Sequence, residues 1–366
     1  MMMKKIFIAA MIGMCFASCT NNDDFTSVNG EAQKISFSSP LVKSASRAQF
    51  SPTPGEMQYG YNEEEWFHVY AVMTEGPYTG TETWATKFMD VDVMPYKADI
   101  YSLAEYWKPE KDYFWPKNPN AYITFAAFSP ATAVKNGTFS YAGDGLTITD
   151  FQLPTDRGTQ YELLYAKRAF DKKKNDHVAG EYTGDEYLGV NIVFQRALSA
   201  IKFHVSTESG AGKVWLKRLA IEGAYDKATF KENVTNQAST YTASPKWIGH
   251  AYKNSTNSLC EPFNSLSMGG ASDIGQSAVE RESLFMIPQT LADGVKLIIE
   301  WEYQNGDRKE KEQDAYTVNM NTLGITEWLL GKKYTYNIKI NLDKIYFKPT
   351  MEDWSTASPS AGDVML

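Results

Sequence analysis

The 366-residue chain carries 36 basic and 44 acidic residues, a formal charge of −8, and so lacks the basic footprint that nucleic-acid binding requires. At roughly 150 residues per domain this length suggests two domains. The 14% aromatic share, with 22 tyrosines and 9 tryptophans, favours strands, where flat rings pack on a pleated surface.

Lys4 and Lys5 precede an apolar run from Ile6 to Phe16, and small residues Ala17 and Ser18 stand ahead of Cys19. This is the layout of a secretory signal over residues 1–18, too short to span a bilayer. A small residue before a cysteine at that point resembles a bacterial lipobox, in which Cys19 becomes the acylated first residue of the mature chain. The polar, acidic stretch Thr20 to Asp24 resembles a surface-export signal of Gram-negative anaerobes. Loss of the signal takes Lys4 and Lys5 with it and moves the charge to about −10. It also removes Cys15, and acylation consumes Cys19, leaving Cys260 as the thiol of the mature chain. No internal disulfide is then available.

Strands are expected at Trp66 to Met73 and Tyr122 to Phe128, each bounded by turn residues. Asp90 and Asp92 in "MDVDVM" lack calcium-loop spacing. The interval Asp171 to Tyr187, charged and nearly free of aliphatic residues, is the expected domain boundary, dividing 48–185 from 186–366. In "VNIVFQRALSAIKFHV" the apolar phase is even at Val190, Ile192 and Phe194 and odd at Ile201, Phe203 and Val205. Such a flip requires a bulge or a crossing between sheets, and it places a change of partners near Arg196 to Ala200.

Further strands fall at Val214 to Ile221 and Leu284 to Ile287. "GVKLIIEWEY" alternates with Val295, Leu297, Ile299, Trp301 and Tyr303 on one face and is expected to pair back through Ala315 to Val318. "TLGITEWLLGKKY" suggests one short helical turn, capped by Thr326 and stopped at Gly331. "YTYNIKINL" is strictly period two, with Tyr334, Tyr336, Ile338, Ile340 and Leu342 together. Short strands, frequent turns and sparse helix define an all-β class built of sandwiches.

Catalytic signatures are absent from the sequence: no G-x-S-x-G elbow, no H-E-x-x-H, no phosphate loop and no dinucleotide fingerprint. Glu63, Glu64 and Glu65 are adjacent, so they scatter over a strand's two faces and form no acid–base pair. The four histidines are too dispersed for a sequence-local metal site. Neither an enzyme, a cofactor nor a metal is expected. One aromatic loop, with Tyr241, Trp247 and Tyr252 around His250, presents ring types that stack on sugars. The alternative is that these rings pack down on the sandwich beneath them.

Four stretches together resemble the fimbrillin-like family, the lipoprotein type V pilins of anaerobic Gram-negative bacteria. They are Tyr113 to Pro130, Tyr161 to Ala166, Val193 to Val205, and Leu284 to Gln289 with Gly331 to Ile340. The resemblance implies two tandem transthyretin-like β-sandwich domains and a structural, adhesive subunit of fimbriae at the outer membrane, anchored through lipid (palmitate) at Cys19. It implies a prosegment over 19–47 whose first strand contains Ile35, Phe37 and Leu41, and an arginine-specific protease that cuts between Arg47 and Ala48. Small and polar neighbours of Arg47 suit an exposed, cleavable segment. A domain deprived of a strand seeks another, and β-strand addition by another fimbrial subunit supplies one. By resemblance the donor is C-terminal, with Ile345, Phe347, Met351 and Trp354 as candidates. Pro349 interrupts that segment, as an edge strand tolerates. Two other readings stand beside this one: the C-terminal segment completes its own domain, and the protein is a monomeric surface lipoprotein that binds glycan or host protein through loops such as Tyr241 to Lys253.

Overall fold

The computed structural model describes residues 33–38, 41–42, 66–96, 106–154, 159–173, 189–207, 213–236, 242–251, 272–273, 279–280, 284–304, 312–340 and 345–353. Its first part forms β1 (Leu41–Val42), β2 (Phe67–Thr74), β3 (Met89–Tyr96), β4 (Tyr106–Pro109) and β5 (Tyr122–Ser129). The hairpin of β6 (Thr138–Ala142) and β7 (Gly145–Gln152) follows, then β8 (Leu164–Ala166), β9 (Ala169–Lys172) and β10 (Val193–Arg196).

Strands β1, β10, β8, β5, β2, β3 and β4 lie side by side in that order. The leading segment, residues 33–38, bridges the two ends of the row: Phe37 pairs antiparallel with Trp107 of β4 and parallel with Val190, just ahead of β10. The sheet is thereby closed into a barrel-like ring, which leaves no raw edge on that path. Alternation along each strand sends one set of side chains inside: Ile35, Phe37, Phe67, Val69, Val91, Val93, Trp107, Ile123, Phe125, Val190, Ile192 and Phe194 form one apolar cluster.

The chain leaves this ring at Ala197 and Leu198. Phe194 is still inside the first cluster, whereas Ile201, Phe203 and Val205 of β11 (Ser199–Thr207) belong to a second. The phase flip in the sequence is therefore a crossing between sheets. β12 (Lys213–Glu222), β13 (Lys227–Lys231), β14 (Val234–Asn236), β15 (Thr242–Ala243) and β16 (Lys246–Ala251) come next. After them run β17 (Ser272–Asp273), β18 (Val279–Glu280), β19 (Leu284–Met286), β20 (Gln289–Thr290), β21 (Lys296–Gln304) and β22 (Glu312–Asn319). The last strands are β23 (Glu327–Trp328), β24 (Lys332–Ile340) and β25 (Ile345–Asp353).

Two sheets, β18-β11-β24-β25 and β17-β12-β21-β22, send their inward residues into this second cluster, Phe203, Tyr336 and Ile338 from one and Leu219, Ile299 and Trp301 from the other. That is a β-sandwich core. A further sheet, β16-β13-β7-β6, covers the outer side of the ring, where Tyr165 of β8 meets Phe230 at 5.2 Å. Because β13 and β16 lie beyond residue 186 and β6 and β7 before 185, this sheet crosses the division expected at 185/186. β10, which follows the charged interval that suggested the division, still belongs to the ring.

The pairing expected of "GVKLIIEWEY" is present, with Leu297 opposite Val318 and Glu300 opposite Ala315. The expected helical turn is absent. Residues 320–323 form a short 3-10 turn, and Glu327–Trp328 pair with β20 instead. The cause is burial of Trp328, 1% exposed, whose indole N–H donates to the Tyr336 hydroxyl at 3.1 Å. Gly331 then turns the chain into β24 with φ of 68°, a conformation glycine adopts without steric cost.

Candidate functional site: the leading-strand slot and the C-terminal edge

The leading segment sits in a slot whose two walls are backbone. On one side the Ile35 N–H donates to Tyr113 O (2.7 Å) and the Phe37 N–H to Trp107 O (2.7 Å), while the Trp107 N–H returns a bond to Phe37 O (2.9 Å). On the other side the Ser38 N–H donates to Val190 O (3.2 Å) and the Val190 N–H to Ser36 O (2.8 Å). Gly189 lets the walls come this close. A Cβ there would lie 2.0 Å from the carbonyl carbon of Phe37 and 2.1 Å from the nitrogen of Ser38, distances that backbone cannot relieve by a rotamer change.

Side chains anchor the segment as firmly as its ladder does. Phe37 is 0% exposed and lies edge-on to Phe67 and Phe125, with ring centroids 5.5 and 5.6 Å away. Burial of a phenyl group of this kind is worth about 2–3 kcal/mol. Ile35 is also buried. Lys34 reaches Asp112 at 2.8 Å, but both side chains are more than half exposed, so this pair adds little. If the segment were withdrawn, Trp107 and Val190 would each keep a donor and an acceptor without a strand, beside an apolar hole the size of a phenyl ring.

The second element is β25. It pairs antiparallel with β24 from Ile340↔Ile345 to Lys332↔Asp353 and, among the described residues, has no strand beyond it in its sheet order. The candidate donor residues Ile345 and Phe347 are only half-buried, and Met351 is 54% exposed. Phe347 stacks on Tyr316 at 6.0 Å. At the far end Lys332 bonds Asp353 and Lys333 lies 3.1 Å from Glu352. The Lys332 ammonium holds the Asp353 carboxyl below the usual carboxylate range. Thus the segment does complete its own sheet, through its backbone ladder, two ion pairs and a half-buried face on which Ile345 and Phe347 pack against the second core.

Trp247 lies elsewhere than a sugar-stacking role requires. Its ring is 7% exposed, packs on Phe151 and Phe230 at 5.5 and 5.3 Å, and donates its N–H to Ala197 O at 2.6 Å. Alternation on β16 turns it into the core, so the ring is spent on packing and presents no face to a ligand. His250 bonds Pro288 O at 2.8 Å. Cys19, Arg47, Ala48, Tyr241, Tyr252 and Trp354 lie outside the described residues.

Sequence reading missed the slot walls, Trp107, Tyr113, Gly189 and Val190, and a cavity of about 570 Å³ beside β2 and β6, lined by Tyr70, Trp84, Phe139, Tyr141, Lys87 and Asp90. A glycine directly before the first apolar residue of a strand was the available signal for Gly189. The cavity's polar groups are occupied with one another. Lys87 pairs with Asp90 at 3.1 Å, and His68 reaches Asp90 at 2.8 Å and Asp92 at 2.6 Å. Behind it Arg168 donates to the Tyr141 hydroxyl at 2.7 Å and lies over the Trp84 ring at 5.4 Å. Burial raises the Tyr141 hydroxyl well above its ordinary value, with Glu232 adding to the effect. These rings and their neighbours form a packed wall. Among the described residues no group of histidine, cysteine and acidic side chains has the arrangement of a metal site, and no helix is long and apolar enough to cross a membrane.

The described residues thus form an all-β structure with a strand-shaped slot filled by the leading segment and a half-covered strand, β25, at the edge of another sheet. The sequence profile of the fimbrillin-like family matches residues 62–354, and the chain belongs to that family. Among solved structures, a fimbrial protein from Bacteroides vulgatus is similar at 17% identity over 87% of this chain and 100% of that one, with a TM-score of 0.52. A fimbrial assembly protein from Parabacteroides distasonis is 12% identical, covering 87% and 100% of the two chains at a TM-score of 0.38. The tip fimbrial protein Mfa3 from Porphyromonas gingivalis, truncated at its C-terminus, is 10% identical over 79% and 94% at 0.35. No curated protein matches the chain.

Proposed function

We propose that this chain is a fimbrial subunit exported as a lipoprotein precursor, acylated at Cys19, and assembled at the outer membrane by strand donation after an arginine-specific protease cuts between Arg47 and Ala48. The observation that carries this reading is the bonding of residues 33–38. A buried strand lies on the N-terminal side of Arg47, so a cut there turns an internal strand into a separate, non-covalently held peptide. Once it leaves, the exposed donors, acceptors and apolar hole favour replacement by a strand of another subunit, since buried polar groups left unpaired cost about 1–3 kcal/mol each. The donor in this reading is β25, whose outward residues Tyr346 and Met351 are more than half exposed. The family is a structural one, and the role is adhesive scaffolding rather than catalysis.

The test is direct. Purified precursor treated with an arginine-specific protease forms filaments, seen by electron microscopy, and ladders on gels, whereas the Arg47→Ala precursor forms neither. N-terminal sequencing of the protein from the native cell surface then gives a start at Ala48. Equal behaviour of the two precursors sinks the assembly step, and a blocked Cys19 on all of the surface protein sinks the processing step.

A further inference from the structure

The two strands just described share a short pattern. Lys34-Ile35-Ser36-Phe37 recurs as Lys344-Ile345-Tyr346-Phe347, and Leu41 and Met351 each stand four residues after the phenylalanine. We infer that β25 of a second copy of this chain fills the slot in a single register, with Ile345 in the place of Ile35, Phe347 in the place of Phe37 and Met351 alongside β10 in the place of Leu41. This rests on the strand-donation reading and adds to it the partner's register and the residues that set specificity.

The slot's own hydrogen bonds select that register. They require N–H donors at the positions of Ile35, Phe37 and Ser38, and Ile345, Phe347 and Lys348 all supply one. Pro349, which has none, comes only after these three. Slide the strand two residues one way and Pro349 lands at the Phe37 position, removing the donor that Trp107 O accepts and leaving a small ring in a pocket that Phe37 fills at 0% exposure. Slide it two the other way and Asp343 enters the Ile35 position, which is 2% exposed and hostile to a carboxylate. A shift of one turns Tyr346 inward with a lysine, Lys344 or Lys348, beside it, because the faces exchange. Reversed polarity about Phe347 puts Pro349 at Ile35 and loses the bond to Tyr113 O. The leading segment's polarity, antiparallel to β4 and parallel to Val190, therefore survives in the donor.

The exchange also runs downhill for these two side chains. In β25 Ile345 and Phe347 are half-buried, whereas the places they would take are buried on every side. Tyr346, 51% exposed on β25, takes the outward place of Ser36 and remains outside.

Disulfide trapping tests the register. The probe is the soluble precursor with Cys19→Ser and Cys260→Ser, a unique viral-protease site around residue 47, and Lys108→Cys on β4, the exposed neighbour of Trp107 and the residue that faces the Ser36 position. Cut subunits combining Lys108→Cys with Tyr346→Cys should give a covalent ladder on oxidation, at least tenfold stronger than those combining it with Lys348→Cys. Filaments of Phe347→Ala should shed subunits roughly 100-fold faster, as expected for deleting a ring from a filled pocket, with Phe347→Leu restoring most of the loss. Normal filaments that cross-link through Lys348→Cys, or through neither, overturn the register and leave strand donation standing. A cut precursor that forms no filament in any version overturns both.

Discussion

Phe37→Ala isolates the slot from the rest of the molecule. The ring is 0% exposed, edge-on to Phe67 and Phe125, so its removal leaves a cavity closed on all sides, and such truncations cost about 3–5 kcal/mol. Taking about 4 kcal/mol, the segment's opening equilibrium shifts roughly 1000-fold. Two amides report that opening alone, because their acceptors belong to the segment: the Trp107 N–H on Phe37 O and the Val190 N–H on Ser36 O. Native-state hydrogen exchange of the uncut precursor should show both losing protection by about that factor, while amides of β12 and β21 keep theirs. Ser36→Ala, which touches a half-exposed side chain, should change protection by less than about threefold. A loss under about tenfold at Trp107 in Phe37→Ala, equivalent to about 1.4 kcal/mol, would refute the view that this ring holds the leading strand.

Other consequences are open to measurement. Gly189→Ala places a methyl group 2.0 Å from the Phe37 carbonyl carbon and should expel the segment, raising Trp107 amide exchange at least as much as Phe37→Ala does; unchanged exchange refutes the steric argument. Glu162→Gln leaves Arg196, whose side chain is 2% exposed, without its counter-charge, and burial already pulls that guanidinium below its ordinary value. Urea unfolding should show a loss of about 3–5 kcal/mol. Trp247→Ala should cost a similar 3–5 kcal/mol and leave no sugar-dependent signal to lose on a glycan array, whereas a stable variant with altered glycan binding contradicts its place in the core. Asp353 is held by Lys332 below the ordinary aspartate value of 3.8. A depressed carboxyl contributes stability above its unfolded value and loses it as pH falls through the folded one. Exchange over Met351–Asp353, corrected for intrinsic rates, should therefore quicken below about pH 4, and Lys332→Met should abolish that dependence.

Several of these elements were legible along the chain because their cause is local. Period-two alternation marked β24 and β21, and the buried face of each is the one the alternation names, Tyr334, Tyr336, Ile338 and Ile340 in one and Leu297, Ile299 and Trp301 in the other. The even-to-odd flip around Arg196 marked a crossing between two cores, since a strand cannot change its buried face without changing what it packs on. Failures came where a distant partner overrode local preference. "TEWLLG" has a helical cast, yet Trp328 gains more from the core and the Tyr336 hydroxyl than from a single turn of helix. The charged interval 171–187 looked like a frontier, but long-range pairing of β7 with β13 carries a sheet across it.

For the candidate site, sequence alone determined the pieces: a lipobox-like start, an alternating apolar segment ahead of Arg47, and an aromatic strand interrupted by Pro349. It determined the all-β class as well, because strand alternation is written in nearest neighbours. Only tertiary structure decided that residues 33–38 lie between β4 and Val190, that Gly189 makes room for them, and that Trp247 belongs to the core while β25 lies half uncovered at an edge. Those facts depend on hydrogen bonds and contacts between residues as much as 154 positions apart, Ser36 and Val190, and no local pattern encodes which distant backbone will supply the missing partner.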